Sequence, residues 1–158
     1  MMALAKYEQA CCDLVVDVIR NAGSASLRVT GCSMLPAIWP GDVVTVERHA
    51  SNQLQPGRII LFSRDGRLTT HRIVRVSQEH IVTRGDSLPA LDVPVQHTDV
   101  VGQVAGICRN GHPVNPQYTL FQRLISSVLR NSELCFRLFQ RLTSYRRRFE
   151  VLQSTLEY

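Results

Sequence analysis

Ser33 stands in the stretch "VTGCSMLPAIWPGDVVTVER", between a Gly-Cys pair and Met-Leu-Pro. A serine so placed is either a turn residue or a nucleophile. In the second role it needs a neighbouring group to take its proton and donors to hold the oxyanion that develops on an attacked carbonyl. Lysine is excluded as that neighbour within the middle of the chain, because the one lysine, Lys6, lies well before the serine in a helical pattern. Histidines remain. His49 and His97 fall in polar connections, His80 in a turn and His112 in the closing "NGHP". His71 begins the run "HRIVRV", where a strand holds a side chain in a fixed direction, so it is either the base or an ordinary core or surface histidine.

Three kinds of segment must carry these residues. From Ala3 to about Asn21 the apolar positions Leu4, Tyr7, Cys11, Leu14, Val15, Val18 and Ile19 recur at three and four, and Gly23 follows as a stop, which predicts an amphipathic helix. Lys6, Glu8, Asp13, Asp17 and Arg20 form its wet face, so the helix packs on the domain rather than entering lipid. From about Leu27 to Cys108 β-branched runs ("DVVTVER", "RIILFS", "HRIVRV", "VVGQVAGI") are separated by Pro-Gly, Asp-Gly and Gly-Asp turns. Asp65-Gly66 suits a tight turn, so "IILFSRDGRLTTHRIVRV" reads as a hairpin with His71 on its returning strand. After Pro116 the period becomes helical again, as one long helix or two broken near Asn131-Ser132.

The fold expected is mainly β (α+β): a helix over 1–24, a small antiparallel β domain over 25–116 and a basic amphipathic helical tail over 117–158. A chain of 158 residues with 44% apolar content can bury a core of that size. Five cysteines, an odd number without metal-like spacing, point to reduced thiols and a cytoplasmic setting, with neither metal nor cofactor implied. The N-terminus lacks a secretion-signal pattern, and no window reaches the ~20 apolar residues of a membrane span.

The ordered blocks "GCSMLP…GDVV…HRIV…RGDSLPALD…VVGQV" resemble the type I signal peptidase and S24/S26 peptidase superfamily, which also contains self-cleaving repressor domains. The resemblance covers about Val29 to Val104. It implies a serine endopeptidase with Ser33 as nucleophile and with His71 in the place that a general-base lysine holds in most bacterial signal peptidases, as in the endoplasmic-reticulum-type branch. In the later block it implies that an acidic residue six places after the first Asp orients the histidine, which makes Asp92 the third member and Asp86 structural, with the reverse assignment left open. The backbone N–H of Ser33 would serve the oxyanion, with Gly31 and Cys32 beside it. Met34 and Pro36 would fix the turn and line the substrate cleft, or are ordinary packing and turn residues. Gly41-Asp42 reads as a turn without a catalytic part. Two departures stand out: Gly31 occupies the position where some relatives have an extra oxyanion hydroxyl, and a charged amphipathic helix precedes the serine where signal peptidases of this type have a membrane-spanning one.

The tail adds a separate expectation. Seven arginines fall between Arg123 and Arg148, with an apolar band of Phe and Leu on another side and almost no acids. Arg123, Arg130, Arg137, Arg141 and Arg148 are thus either a peripheral anchor to an anionic membrane or partner surface, or the solvated face of a helix packed on the β domain. The pattern does not follow a nucleic-acid-reading motif, and no nucleic-acid partner is expected. The partner expected for the site is a peptide or precursor protein. From a different class, a non-catalytic peptide-binding or regulatory module on the same fold remains the competing reading.

Overall fold

The computed structural model describes residues 2–49, 54–115 and 125–127. The helix α1 (Met2–Ala22) leads into an eight-stranded sheet: β1 (Ser24–Arg28), β2 (Val43–Glu47), β3 (Ile59–Arg64), β4 (Arg67–Val76), β5 (His80–Arg84), β6 (Val95–Gln96), β7 (Val100–Arg109) and β8 (His112–Val114). The strands run in the order β1-β2-β7-β3-β4-β5-β6, with β8 also on β7, and every pairing is antiparallel. The expected mainly β architecture with an N-terminal helix is what the chain adopts. The arginine surface expected in the tail lies outside the described residues, of which the tail contributes only the helical 125–127.

The central strand β3 explains why its sequence is apolar without a break. Ile59 and Leu61 join one core with Ile19, Met34, Ile38, Val44, Val46, Val104 and Ile107, while Ile60 and Phe62 turn the opposite way into a second with Leu54, Ile73, Ile81, Val95 and Val100. A strand covered on both faces loses the alternation of a half-solvated one. The β3–β4 hairpin turns at Asp65-Gly66 with φ of 50° and 71°, the pair of positive values that a two-residue turn matched to strand twist requires.

Helix α1 packs on β1, β4 and β7 and ends where the Gly23 N–H bonds the Ile19 carbonyl. Its buried face overlaps the one the spacing suggests. Val15 and Ile19 meet the core as expected, together with Cys12 and Val16, whereas Cys11 is exposed, Leu14 64% exposed and Val18 39% exposed. The position of the hairpin sets this rotation: the Cys12 thiol donates to the Gly66 carbonyl at 2.9 Å.

Candidate active site

Ser33 sits just after β1, in a helical turn closed by Leu35 N–H to Cys32 O at 3.2 Å and Ile38 N–H to Met34 O at 3.0 Å. The turn is anchored because its apolar residues Met34, Leu35, Ala37 and Ile38 are almost fully buried, and Pro36 is buried with them. Its far end is held by Asp42, which accepts the Trp39 N–H at 2.8 Å and pairs with Arg109 through two hydrogen bonds of 2.9 and 2.8 Å. The Arg109 guanidinium lies 5.3 Å from the centre of the Trp39 ring. Asp42 therefore belongs to the support of the turn, as its place in a Gly-Asp turn suggested.

His71 is the fifth residue of β4 and pairs directly with Ile60 of β3. Directly opposed residues share a face, so the imidazole projects into the second core, edge-on to the Phe62 ring with centroids 6.2 Å apart. One ring nitrogen, Nε2, lies 3.0 Å from Ser33 Oγ, and the other, Nδ1, lies 2.6 Å from Asp92 Oδ2. With Asp92 ionised, Nδ1 carries the proton and Nε2 is the acceptor that faces the serine hydroxyl. The imidazole is nearly buried and Asp92 retains 18% side-chain exposure.

Two further groups hold Asp92. The Thr83 hydroxyl donates to the same Oδ2 at 2.6 Å, and the Thr83 carbonyl accepts the Asp92 N–H at 2.9 Å. Arg64 donates to the Val93 and Pro94 carbonyls, each at 2.8 Å, and its guanidinium stands over Phe62. Burial alone would push the Asp92 carboxyl up. The hydrogen bonds from His71 and Thr83, and the charges of His71 and Arg64, outweigh it and hold the carboxyl below its ordinary value.

Asp86 does something else. Residue 72 points to the opposite side of β4 from residue 71, and there Arg72 makes a two-pronged pair with Asp86 at 2.8 and 2.7 Å while also donating to the Gly57 carbonyl at 2.7 Å. Both partners are buried. Of the two acids left open by the sequence, Asp92 is bonded to the histidine and Asp86 to the neighbouring arginine. The other histidines stand apart from this constellation: His97 bonds the Ser77 carbonyl, His80 begins β5 and His112 begins β8, while His49 follows β2.

A cleft of about 430 Å³ opens at Ser33. One wall is the segment 27–31 that continues β1; the other is Leu68, Thr69 and Thr70 of β4; Met34, Ile38, Val44 and Leu61 supply an apolar floor. Pairing of β5 with β4 begins only at Arg72, so among the described strands the Arg67–Thr70 stretch is paired on the β3 side alone. Gly31 is exposed on the cleft wall, Cys32 is half-buried and Met34 lines the cleft from below.

Thr83, Ser87 and Arg64 form part of this arrangement and were not legible as site residues. Ser87 bonds the Ser33 carbonyl through both its N–H, at 3.0 Å, and its hydroxyl, at 2.9 Å. Thr83 faces His71 only because of the β4–β5 register, in which Ile73 pairs with Thr83, and that register includes a bulge at Val74. No local sequence signal marks such a bulge.

No curated protein matches the chain. A family model described as Peptidase S24-like matches residues 3–105. The match runs from α1 into β7, spans about two thirds of the chain and includes Ser33, His71 and Asp92, and the chain accordingly belongs to the Peptidase S24-like family.

Proposed function

We propose that the protein is a serine endopeptidase of the signal-peptidase-like type, working through Ser33, His71 and Asp92 in the Ser–His arrangement of the endoplasmic-reticulum-type branch. The observation that carries this reading is the unbroken line from Ser33 Oγ to His71 Nε2 at 3.0 Å and from His71 Nδ1 to Asp92 Oδ2 at 2.6 Å. Ser33 Oγ attacks the substrate carbonyl as its proton passes to His71 Nε2. Asp92 keeps the ring in the tautomer that can accept that proton and stabilises the imidazolium. Collapse of the tetrahedral intermediate breaks the C–N bond, and His71 returns the proton to the leaving amine. Water, deprotonated by the same imidazole, then hydrolyses the acyl-enzyme and regenerates Ser33.

Charge on the oxyanion falls to the Ser33 N–H, which has no acceptor among the described residues. The substrate is an extended peptide laid between segment 27–31 and Arg67–Thr70, where strand edges supply main-chain hydrogen bonds on either side. Small side chains suit the residue beside Ser33, where Gly31 forms the wall, and apolar ones suit the floor of Met34, Ile38 and Leu61.

The test is digestion of a proteome-derived peptide library by the purified chain, with cleavage sites read by mass spectrometry. Ser33→Ala and His71→Ala are expected to reduce cleavage by at least about 10³-fold, since each removes a member of a cooperative unit. Equal cleavage by wild type and Ser33→Ala would overturn the reading. Peptide capture without cleavage by the wild type would favour a binding module on the same fold.

A further inference from the structure

We propose that Ser87 is a positioning residue that aims the oxyanion donor, an inference that rests on the peptidase reading of Ser33. Ser87 is 1% exposed, and its hydroxyl is shared between two carbonyls, that of Cys32 at 3.0 Å and that of Ser33 at 2.9 Å. Its own N–H adds a third bond, to the Ser33 carbonyl at 3.0 Å. These two carbonyls belong to the two peptide planes on either side of the nucleophile's Cα. Both peptides are trans, so the Ser33 N–H points opposite to the Cys32 C=O, and the Met34 N–H opposite to the Ser33 C=O. A side chain that pins both carbonyls therefore fixes the direction of both N–H groups without touching substrate.

The clamp is close-fitting. A Cβ on Gly85 would stand 2.7 Å from the Ser33 carbonyl oxygen, so the chain reaches the nucleophile's backbone at this distance only because residue 85 has no side chain. The Cys32 carbonyl has a second hold in the Leu35 N–H at 3.2 Å, so loss of the Ser87 hydroxyl loosens the first plane without freeing it. Removing one oxyanion donor outright costs about 10²–10³ in kcat, and loosening one is expected to cost about 10- to 100-fold.

The experiment compares Ser87→Ala and Ser87→Thr with wild type, using the library peptide that wild type cleaves best and a peptide boronic acid ending in alanine, whose tetrahedral adduct on Ser33 places an oxygen where the oxyanion forms. Ser87→Ala is expected to lower kcat about 10- to 100-fold with little change in KM, and to weaken the boronate by the same factor. Binding of the intact peptide, measured in the Ser33→Ala background with and without Ser87→Ala, is expected to stay within about twofold, because ground-state contacts are made elsewhere in the cleft. Ser87→Thr keeps the hydroxyl and is expected to retain most of both, and it carries the comparison if the alanine variant does not fold. Unchanged kcat and boronate affinity in Ser87→Ala, or intact-peptide binding lost in step with the boronate, would overturn the proposal. Absence of any Ser33-dependent cleavage or boronate binding in wild type would instead overturn the peptidase reading itself.

Discussion

Replacement of Thr83 by valine tests how the acid of the proposed triad is held. The two side chains have nearly the same shape, and Thr83 is fully buried, so the substitution removes one hydroxyl and little else. That hydroxyl donates to Asp92 Oδ2 at 2.6 Å, a short bond to an ionised acceptor. Hydrogen bonds to charged groups contribute about 1.5–3 kcal/mol net. Asp92 keeps its bond from His71 and is partly open to water, which places the effect at the lower end, about 1.5 kcal/mol, or roughly tenfold in rate if it is fully expressed in the transition state. Thr83 does not line the cleft, so KM is expected to hold while kcat falls.

The pH profile separates this from a general loosening. Burial alone would raise the Asp92 carboxyl, and the hydrogen bonds from His71 and Thr83 together with the charges of His71 and Arg64 bring it below its ordinary value. Removing one of the lowering contributions moves the carboxyl up, so the stability that Thr83→Val draws from an ionised Asp92 is expected to be smaller than in wild type. A carboxyl depressed by folding stabilises the native state above its unfolded pKa and ceases to do so as pH falls through the folded value, so the stability deficit of the variant is largest at neutral pH and shrinks in acid. The assays are steady-state kinetics across pH and urea unfolding at two pH values, with Thr83→Ser as the variant that retains the hydroxyl. A Thr83→Val enzyme with wild-type kcat and the same stability deficit at both pH values would refute the reasoning.

Asp86→Ala removes the carboxylate that makes a two-pronged pair with the buried Arg72 and is expected to cost about 3–5 kcal/mol in denaturant unfolding, whereas Asp92→Asn is expected to lower kcat by about 10²–10⁴ with a smaller loss of stability. Gly85→Ala puts a methyl group 2.7 Å from the Ser33 carbonyl oxygen, too close to stand without the Ser33 backbone giving way; the displacement is expected to reduce kcat about 10²-fold, measured beside an unchanged far-ultraviolet circular dichroism spectrum. His49 is held below its ordinary pKa by burial and then by the nearby charge of His97, and its Nδ1 is buried without a hydrogen-bond partner among the described residues. Folding thus favours the neutral ring: that stability is present above about pH 6.5 and lost as pH falls through the lower folded value, so His49→Gln is expected to flatten the drop in melting temperature between neutral and mildly acidic pH.

Much of the architecture is legible before the coordinates, and the reasons are local. Asp65-Gly66 specifies a hairpin, the hairpin places residue 71 on a strand, and the absence of any lysine but Lys6 leaves histidine as the candidate partner of Ser33. The preference for Asp92 over Asp86 comes from the resemblance alone and leaves the reverse open. The choice depends on which face of β4 each acid meets, and so on a register that bulges at Val74. On α1 helical spacing identifies Val15 and Ile19, which meet the core, together with Cys11, Leu14 and Val18, which do not; the contact of Cys12 with Gly66 brings Cys12 and Val16 inward in their place. Ser87 gave no signal, since its role comes from bonds to carbonyls, which every residue possesses.

The segment from Gly85 to Asp92 serves three structures at once. Gly85 and Ser87 meet the backbone of Ser33, Asp86 turns to Arg72 on one side of β4, and Asp92 reaches His71 on the other. Adjacent residues of a strand face opposite ways, so His71 and Arg72 are presented to opposite sides, and one loop that passes the strand supplies an acid to each. Ser33 is tied to the same loop by its carbonyl. Ser33, His71 and Asp92 come from three separate parts of the chain, yet a displacement of this one loop moves the supports of all three. Substitutions that act on it are therefore expected to be non-additive: Thr83→Val, which bears on Asp92 from β5, and Ser87→Ala combined should cost measurably less or more than the sum of their separate effects, because each changes the position from which the other acts.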